Sequence, residues 1–298
     1  MPDAIELRTK QYNKMLELVA QQTRSKLVDK VMTGSHTGTS VSVVDELESF
    51  EMDPVTAVGA PIIHSAQEYT RRWVRPISFY KAFLRDTFVQ LESEIDPQSK
   101  LMAGSIAAIN RAQDDRILAA FFGDALTGPD GATTTTWASE GSSSVVPVNE
   151  GGGGSNVGLN VAKLKAALEI IMGNDVDIEA EQIYIGYNAK AHGDLLAEAQ
   201  IISLDYSEKP VLKDGRIMSF LGMNFVHTQR VIKDSNGYYR LPVWTKKAMH
   251  FGTWKAPRGD IRQRPDIQGL PWQVYMDGSF NATRVDPKRL VEIKILAS

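Results

Sequence analysis

The longest regular pattern of apolar positions runs through DPQSKLMAGSIAAINRAQDDRILAAFFG, from Asp96 to Gly123. Met102, Ile106, Ile109, Gln113, Ile117 and Phe121 recur there at three- and four-residue steps, one helix face that is apolar but for a single amide. Asp96 suits the N-cap, and Pro97 suits the first helical position, where its fixed φ helps and its missing N–H costs nothing. Gly123 predicts the stop. About 26 residues rising about 1.5 Å each make a rod of about 40 Å, long enough to serve as a backbone for other elements. Arg111 and Asp115 at i,i+4, with Asp114 and Arg116, mark the opposite face, while Ala103, Gly104, Ala107, Ala108 and Ala112 keep the middle slim. An ordinary long core helix reads equally well from these residues.

The same patterning divides the rest of the chain. Ile5 to about Met32 reads as an amphipathic helix with Tyr12, Met15, Leu16 and Val19 on one stripe, and Thr33 to Ser40 (TGSHTGTS) as a polar linker. Ser40 to Arg85 reads as extended chain broken by Pro54, Pro61 and Pro76. Its outgoing arm is acidic (Asp45, Glu46, Glu48, Glu51, Asp53) and its returning arm basic (Arg71, Arg72, Arg75, Lys81, Arg85). Opposite signs suit a long hairpin, or two arms that pair with neighbouring molecules; a solvated surface whose charges balance by chance is the plainer alternative. Asp124 to Gly158, rich in Gly and Ser, predicts a loop that is mobile or ordered by a partner.

A second helix is expected over Leu159 to Met172, stopped by Gly173 and Asn174, then a short buried strand at Ile183 to Ile185 and a third helix from Asn188 to Gln200 capped by Asn188. From Ile217 the pattern turns to strands. Met223 to Ile232 and Tyr238 to Trp244 flank Asn236-Gly237 and predict a hairpin. Short strands follow at Ala248 to Trp254, Ile261 to Arg264, Trp272 to Met276 and Asn281 to Val285. In the last, Leu290 to Leu296, Val291, Ile293 and Ile295 alternate with Glu292 and Lys294, giving one buried and one wet face. Helix, strand and helix in succession imply a mixed α/β layer.

Composition narrows the chemistry. With 298 residues, 43% of them hydrophobic, the chain can bury a sizeable core as one large domain or two smaller ones. No apolar run is long enough to cross a bilayer and the N-terminus lacks a signal-peptide core, so a soluble intracellular product is expected. Zero cysteines exclude disulfides, thiolate metal sites and a cysteine nucleophile. A net charge of −3 argues against a nucleic-acid binder acting through an overall basic field. His36, His64, His192, His227 and His250 lie apart in sequence without ligand spacing, and no serine sits in GxSxG, so no catalytic, cofactor or metal residue is singled out. Run Gly151 to Ser155 lacks the GK[ST] ending of a phosphate loop. Asp114 and Asp115, being i,i+1 on a helix, do not share a face for acid–base work.

Four blocks carry a resemblance. They are RRWVRPISFYKAFLRD (Arg71 to Asp86) leading into the helix and DALTG (to Gly128); LKAALEIIMGNDVDIEAEQIYIGYNAKAHGDLL (Leu164 to Leu196); FLGMNFVHTQRV (Phe220 to Val231); and WQVYMDGSFNATRVDPKRLVEIKIL (Trp272 to Leu296). In this order, over about Ser40 to Leu296, the chain resembles the major capsid proteins of tailed double-stranded DNA phages, the Hong Kong 97-type fold. The resemblance implies an N-terminal arm at 1–39, an extended loop at 40–90, and a peripheral domain with spine helix and Gly/Ser loop at 91–158. It further implies an axial domain at 159–250 and a return to peripheral strands at 251–298.

It also implies a structural virion protein, made in the host bacterial cytoplasm, that tiles hexamers and pentamers into an icosahedral shell around packaged DNA, and no enzyme. Expected partners are the chain itself, a portal, a separate scaffold, cement proteins and DNA held through weak non-specific contacts, with no membrane. The loop would lie on an adjacent subunit, with Arg71, Arg72, Arg75, Glu46, Glu48 and Glu51 as the contact candidates. Reversing the three arginines to Glu is expected to abolish assembly without unfolding the subunit. Ile106→Asp is expected to prevent folding, because the Leu101 to Phe122 face would pack on the sheet containing Leu290 to Leu296. Certain relatives crosslink a loop lysine to a neighbour's asparagine; Lys81 and Asn281 have those residue types, and no local motif singles out either. An encapsulin-like shell enclosing enzyme cargo, or a mixed α/β enzyme with the Gly/Ser loop as a lid, are the rival readings.

Overall fold

The computed structural model describes residues 21–47, 52, 54, 64, 69–85, 98–198, 212–213 and 216–297. In chain order a 3-10 turn at Val28–Lys30 leads to β1 (Met32–Ser35), β2 (Val41–Leu47), β3 (Tyr69–Val74), β4 (Ile77–Arg85), α1 (Gln98–Phe122), β5 (Ala125–Thr127) and β6 (Thr133–Thr135). Next come α2 (Trp137–Glu140), β7 (Val145–Val146), α3 (Val161–Gly173), β8 (Ile183–Tyr187), α4 (Ala189–Leu196), β9 (Leu212–Lys213) and β10 (Arg216–Ile217). The chain finishes with β11 (Ser219–Phe220), β12 (Met223–His227), β13 (Tyr239–Thr245), β14 (Met249–Gln263), β15 (Trp272–Arg284) and β16 (Leu290–Ile295). Two compact units result. One holds Ser78–Ala112 and Lys255–Ser279; the other holds Lys26–Ile77, Gln113–Trp254 and Phe280–Ser298.

The larger unit is built on a six-stranded mixed sheet in the order β11-β12-β8-β13-β16-β7. Every residue of β8 is buried, as a strand covered on both sides should be. Helix α3 buries Val161, Leu164, Ala167 and Ile171, one helical stripe, in the same cluster as Ile183, Ile185, Val243 and Ile293. Asn160 Oδ1 accepts from Lys163 N at 2.8 Å and Asn188 Oδ1 from Ala191 N at 2.9 Å, so both helices start on a side-chain cap. These elements stand where the sequence puts them.

Others differ. The Asn236-Gly237 turn closes only a bridge between Lys233 and Tyr239, because β8 separates β12 from β13, pairing parallel with the first and antiparallel with the second. The four short strands expected between Ala248 and Val285 are two long ones, β14 and β15; the polar stretch of β14 from Lys255 onward is exposed sheet rather than a break, and β15 is buried or half-buried throughout. Strand β16 has no wet face at its centre: Glu292 is buried beneath Trp137, whose indole donates to Glu292 Oε2 at 2.6 Å, and beside Arg240 at 2.7 Å. It also lies in the six-stranded sheet with β8.

The Gly/Ser-rich stretch is woven into its own chain. β5 and β6 join β2 and β3 in a four-stranded sheet, β7 pairs with β16, and Trp137 is buried. The turns after β7 are fastened by Lys163, whose Nζ donates to the carbonyls of Val148, Val157 and Lys294 at 2.8 to 3.0 Å. Glycines are needed there because Gly151, Gly153 and Gly154 all have positive φ.

The N-terminal stretch departs most. Tyr12, Met15, Leu16 and Val19 lie outside the described residues, but Lys26 to Met32 is a 3-10 turn running into a strand, and the expected linker contains β1, paired parallel with β14. Asp114 explains the change. It is buried, and its carboxylate accepts from Lys26 N and Leu27 N, serving as a cap from across the sequence. Asp115 points outward to Arg230, so the two acids do split between faces.

Helix α1 spans 25 residues, and its expected cap at Asp96 and Pro97 lies outside the described residues. Its two halves belong to different units and bury different stripes. Met102 lies against Gly259, where an added β-carbon would stand 2.6 Å from its sulfur. Ile117, Leu118 and Phe121 are buried in the larger unit, with the Phe121 ring 4.8 Å from that of Trp244. Of the expected stripe, Ile109, Ile117 and Phe121 are buried, but Ile106 is 47% exposed, so the stripe is not buried along its whole length.

Candidate assembly surface

Strand β2 pairs antiparallel with β3, placing Asp45 opposite Arg71, Glu46 opposite Thr70 and Val41 opposite Val74, with a bulge between Ser42 and Val44. The acidic and basic arms are thus cross-strand neighbours of one chain at this point. Glu48 and Glu51 lie outside the described residues.

The three arginines have three fates. Arg71 is half-buried. Arg72 is 3% exposed, and its Nη1 donates to Glu140 Oε1 at 2.5 Å, so it is not available to a neighbour. Alternation along β3 explains this: Arg72 shares its face with Val74, which is buried too. Arg75 is exposed, just past the strand, with Nη2 3.3 Å from the Gly131 carbonyl.

Arg75 opens onto a cavity of about 180 Å³ lined also by Trp73, Arg116, Asp124, Leu126 and Asn281. Arg116 donates twice to Asn281 Oδ1, at 3.0 and 3.1 Å, and Asn281 Nδ2 donates to the Arg75 carbonyl at 2.8 Å. The Asn281 amide is therefore committed inside its own chain. In the other unit Lys81 is exposed, lying 5.5 Å from the Phe83 ring.

That smaller unit carries a feature that charge patterning does not reveal. Strand β4 lies at one edge of its sheet, and Tyr80, Ala82 and Leu84, every second residue, face outward. Tyr80 is 75% exposed and Leu84 55%, and the Tyr80 ring stacks on Tyr275 of β15 with centroids 6.4 Å apart. An edge that no other described strand pairs with, carrying an apolar outer face, is a ready docking surface. Apolar residues on both parities of ISFYKAFLR, Ile77, Phe79 and Phe83 against Tyr80, Ala82 and Leu84, are the signal that could have found it.

Among the described residues no three metal-ligating side chains come together, and no helix is long and apolar enough to cross a membrane. A family model described as phage capsid protein matches residues 5–297. The chain belongs to the phage capsid protein family. Its role is that of a structural capsid protein of the phage head shell. The fold agrees across large sequence distances. The capsid structure of cyanophage P-SCSP1u superposes with a TM-score of 0.73 at 12% identity, covering 98% of this chain and 94% of that one. The cyanophage Pam1 capsid subunit gives 0.72 at 11% identity, covering 100% and 99%. The capsid of Ralstonia phage GP4 gives 0.64 at 11%, covering 97% and 96%. No curated protein matches the chain by sequence. The capsid protein thus has the Hong Kong 97-type α+β fold.

Sequence reasoning also missed residues that brace this capsid protein from within. Glu140 and Arg284 stand 144 positions apart, with Arg284 fully buried and donating to Glu140 and to the carbonyls of Phe121 and Gly123. Burial pulls the Arg284 guanidinium below its ordinary pKa, and Glu140 opposes that pull. No local motif announces a pair so far apart.

Proposed function

We propose that copies of this capsid protein tile hexamers and pentamers into a closed icosahedral shell that encloses packaged double-stranded DNA. The match to the phage capsid family over residues 5–297 carries this reading. The role is mechanical rather than catalytic. Many modest contacts per subunit add up once the lattice closes, so no single interface has to be strong. The apolar outer face of β4 and the exposed Arg75 just past β3, with half-buried Arg71 beside it, are the surfaces offered to a neighbouring copy. The extended loop around them reaches that neighbour, with Glu46, Glu48 and Glu51 as its acidic side. A portal, a scaffold and cement proteins complete the particle, and DNA touches the inner wall through weak, sequence-independent contacts; a net charge of −3 keeps that hold loose.

Negative-stain microscopy and sedimentation of the purified protein test this. Rings or shells are expected as the concentration rises. A chain that stays monomeric at all concentrations, with and without its neighbouring head proteins, overturns it.

A further inference from the structure

Strands β1 and β14 run parallel with Gly34 directly opposite Gly252 and Met32 opposite His250. Side chains alternate along a strand, so Gly34 and His36 share a face with His250, Gly252 and Trp254. The glycines make the room: a β-carbon on Gly34 would stand 2.9 Å from His250 Cε1, and one on Gly252 2.8 Å from His36 Cδ2. The two imidazoles lie over them with Nε2 atoms 2.9 Å apart and rings tilted by 47°, and the Trp254 ring is 5.2 Å from His36. His250 is buried and His36 half-buried.

Two facing imidazole nitrogens attract only while one carries a proton and the other does not. A first added proton goes to the donor ring's Nδ1 and leaves the N–H···N bond in place. The second must go to the acceptor nitrogen, which leaves two N–H groups and two positive charges facing each other. We propose that His36 and His250 form an acid-sensitive latch, fastening β1 and the chain that leads into β2 to β14 while neutral, and releasing them when both rings are protonated.

Burial and the nearness of His36 bring His250 down from 6.5 to about 4, and burial lowers His36 as well. The native pair therefore binds fewer protons than the unfolded chain as the pH falls below 6.5. The latch's contribution is complete above that value and is lost progressively toward about 4. Charged groups on the surrounding elements are engaged elsewhere. Lys30 lies over Tyr184, Lys247 pairs with Glu181, and Arg284 of β15 pairs with Glu140. Thr33 and Ser35, the polar residues of β1, do not titrate. Only four residue pairs join β1 to β14, whereas the chain just before it is pinned separately by Asp114 and by the Trp244 indole on the Lys30 carbonyl at 2.9 Å. Opening therefore frees about residues 32–40 and not the turn ahead of them. This holds whether or not copies assemble, so its failure leaves the shell reading untouched.

Hydrogen exchange of the soluble chain, corrected for intrinsic rates, tests the latch. Protection over residues 32–36 is expected to fall about tenfold or more between about pH 7.5 and about pH 4.5, while β13 keeps its protection. His36→Phe, with no proton to gain at that position, is expected to keep β1 protected at the lower pH. Protection that survives acid in the unaltered chain, or is lost equally in the variant, overturns the proposal. Should the variant fold poorly, NMR titration of the unaltered chain decides. A second protonation of the pair clearly below the ordinary histidine value of about 6.5 supports the latch, and both rings titrating at that value end it.

Discussion

Arg284 reaches Glu140 with two nitrogens, Nε at 3.0 Å and Nη2 at 2.8 Å, both onto one carboxylate oxygen. The other oxygen takes Arg72, so a single acid from α2 neutralises two buried guanidiniums from β3 and β15. Arg284 Nη1 also donates to the carbonyls of Phe121 and Gly123, at the end of α1 where the helix dipole favours a cation. Glu140→Gln keeps the shape and removes the charge, leaving two cations buried face to face. A loss of about 3–5 kcal/mol is expected, read from the urea midpoint of the isolated subunit. An unchanged midpoint would show that the acid is not the counter-charge.

Arg72 and its neighbours should separate in the same way. Arg72→Glu sets an acid against Glu140 in a buried site, so no folded subunit is expected from that change alone. Arg71→Glu with Arg75→Glu alters side chains nearer the solvent, and a folded subunit with impaired assembly is expected. Circular dichroism reads the first property and electron microscopy the second. Reversing all three charges together, the experiment suggested by the sequence, would confuse unfolding with failed assembly.

Helix α1 offers a paired test of its buried side. Ile106 is largely exposed, so Ile106→Asp is expected to shift stability by no more than about 1 kcal/mol. Ile117 is fully buried, and Ile117→Asp places an unpaired carboxylate among apolar groups, which should leave no cooperative thermal transition. Similar behaviour of the two variants would refute this assignment of the faces.

What could be read from sequence was local. The cap at Asn188, the buried strand at Ile183 and the opposed charges of the loop arms each depend on residues close together in the chain. Pairings decided by distant partners could not be read. Asp114 looks like a surface acid until Lys26 and Leu27 arrive with unbonded N–H groups. Glu292 looks like the wet half of an alternation until Trp137 covers it. The histidines look isolated until β1 joins β14 and brings His36 to His250. Polar residues in the second half of β14 read as interruptions because period-two alternation weakens where a strand is exposed on both faces, whereas β15 carries its polar residues in a strand with no exposed position.

Lys163 should prove essential to the turns after β7. It is buried in α3, and its ammonium serves three backbone carbonyls. Lys163→Met fits the same stem but leaves those acceptors without their donor, at about 1–3 kcal/mol for each that water does not reach. Faster proteolysis within residues 147–158 is expected before any global unfolding. Unchanged cleavage there would show that the glycine turns hold themselves.

The outward face of β4 gives the sharpest separation between fold and assembly. Tyr80 and Leu84 are exposed, so Tyr80→Asp with Leu84→Asp removes little buried area from the subunit, apart from the stacking of Tyr80 on Tyr275. The double variant is expected to keep its thermal midpoint within a few degrees, because surface changes of this kind shift stability by about 0.5 kcal/mol each. Assembly should respond differently. Two carboxylates on an apolar edge must be desolvated wherever a neighbouring copy covers it, and the cost recurs at every subunit of a ring. Sedimentation should therefore show monomers at concentrations where the unaltered protein forms rings or shells. If the variant assembles normally, the β4 edge faces solvent in the particle and the contacts between subunits lie elsewhere.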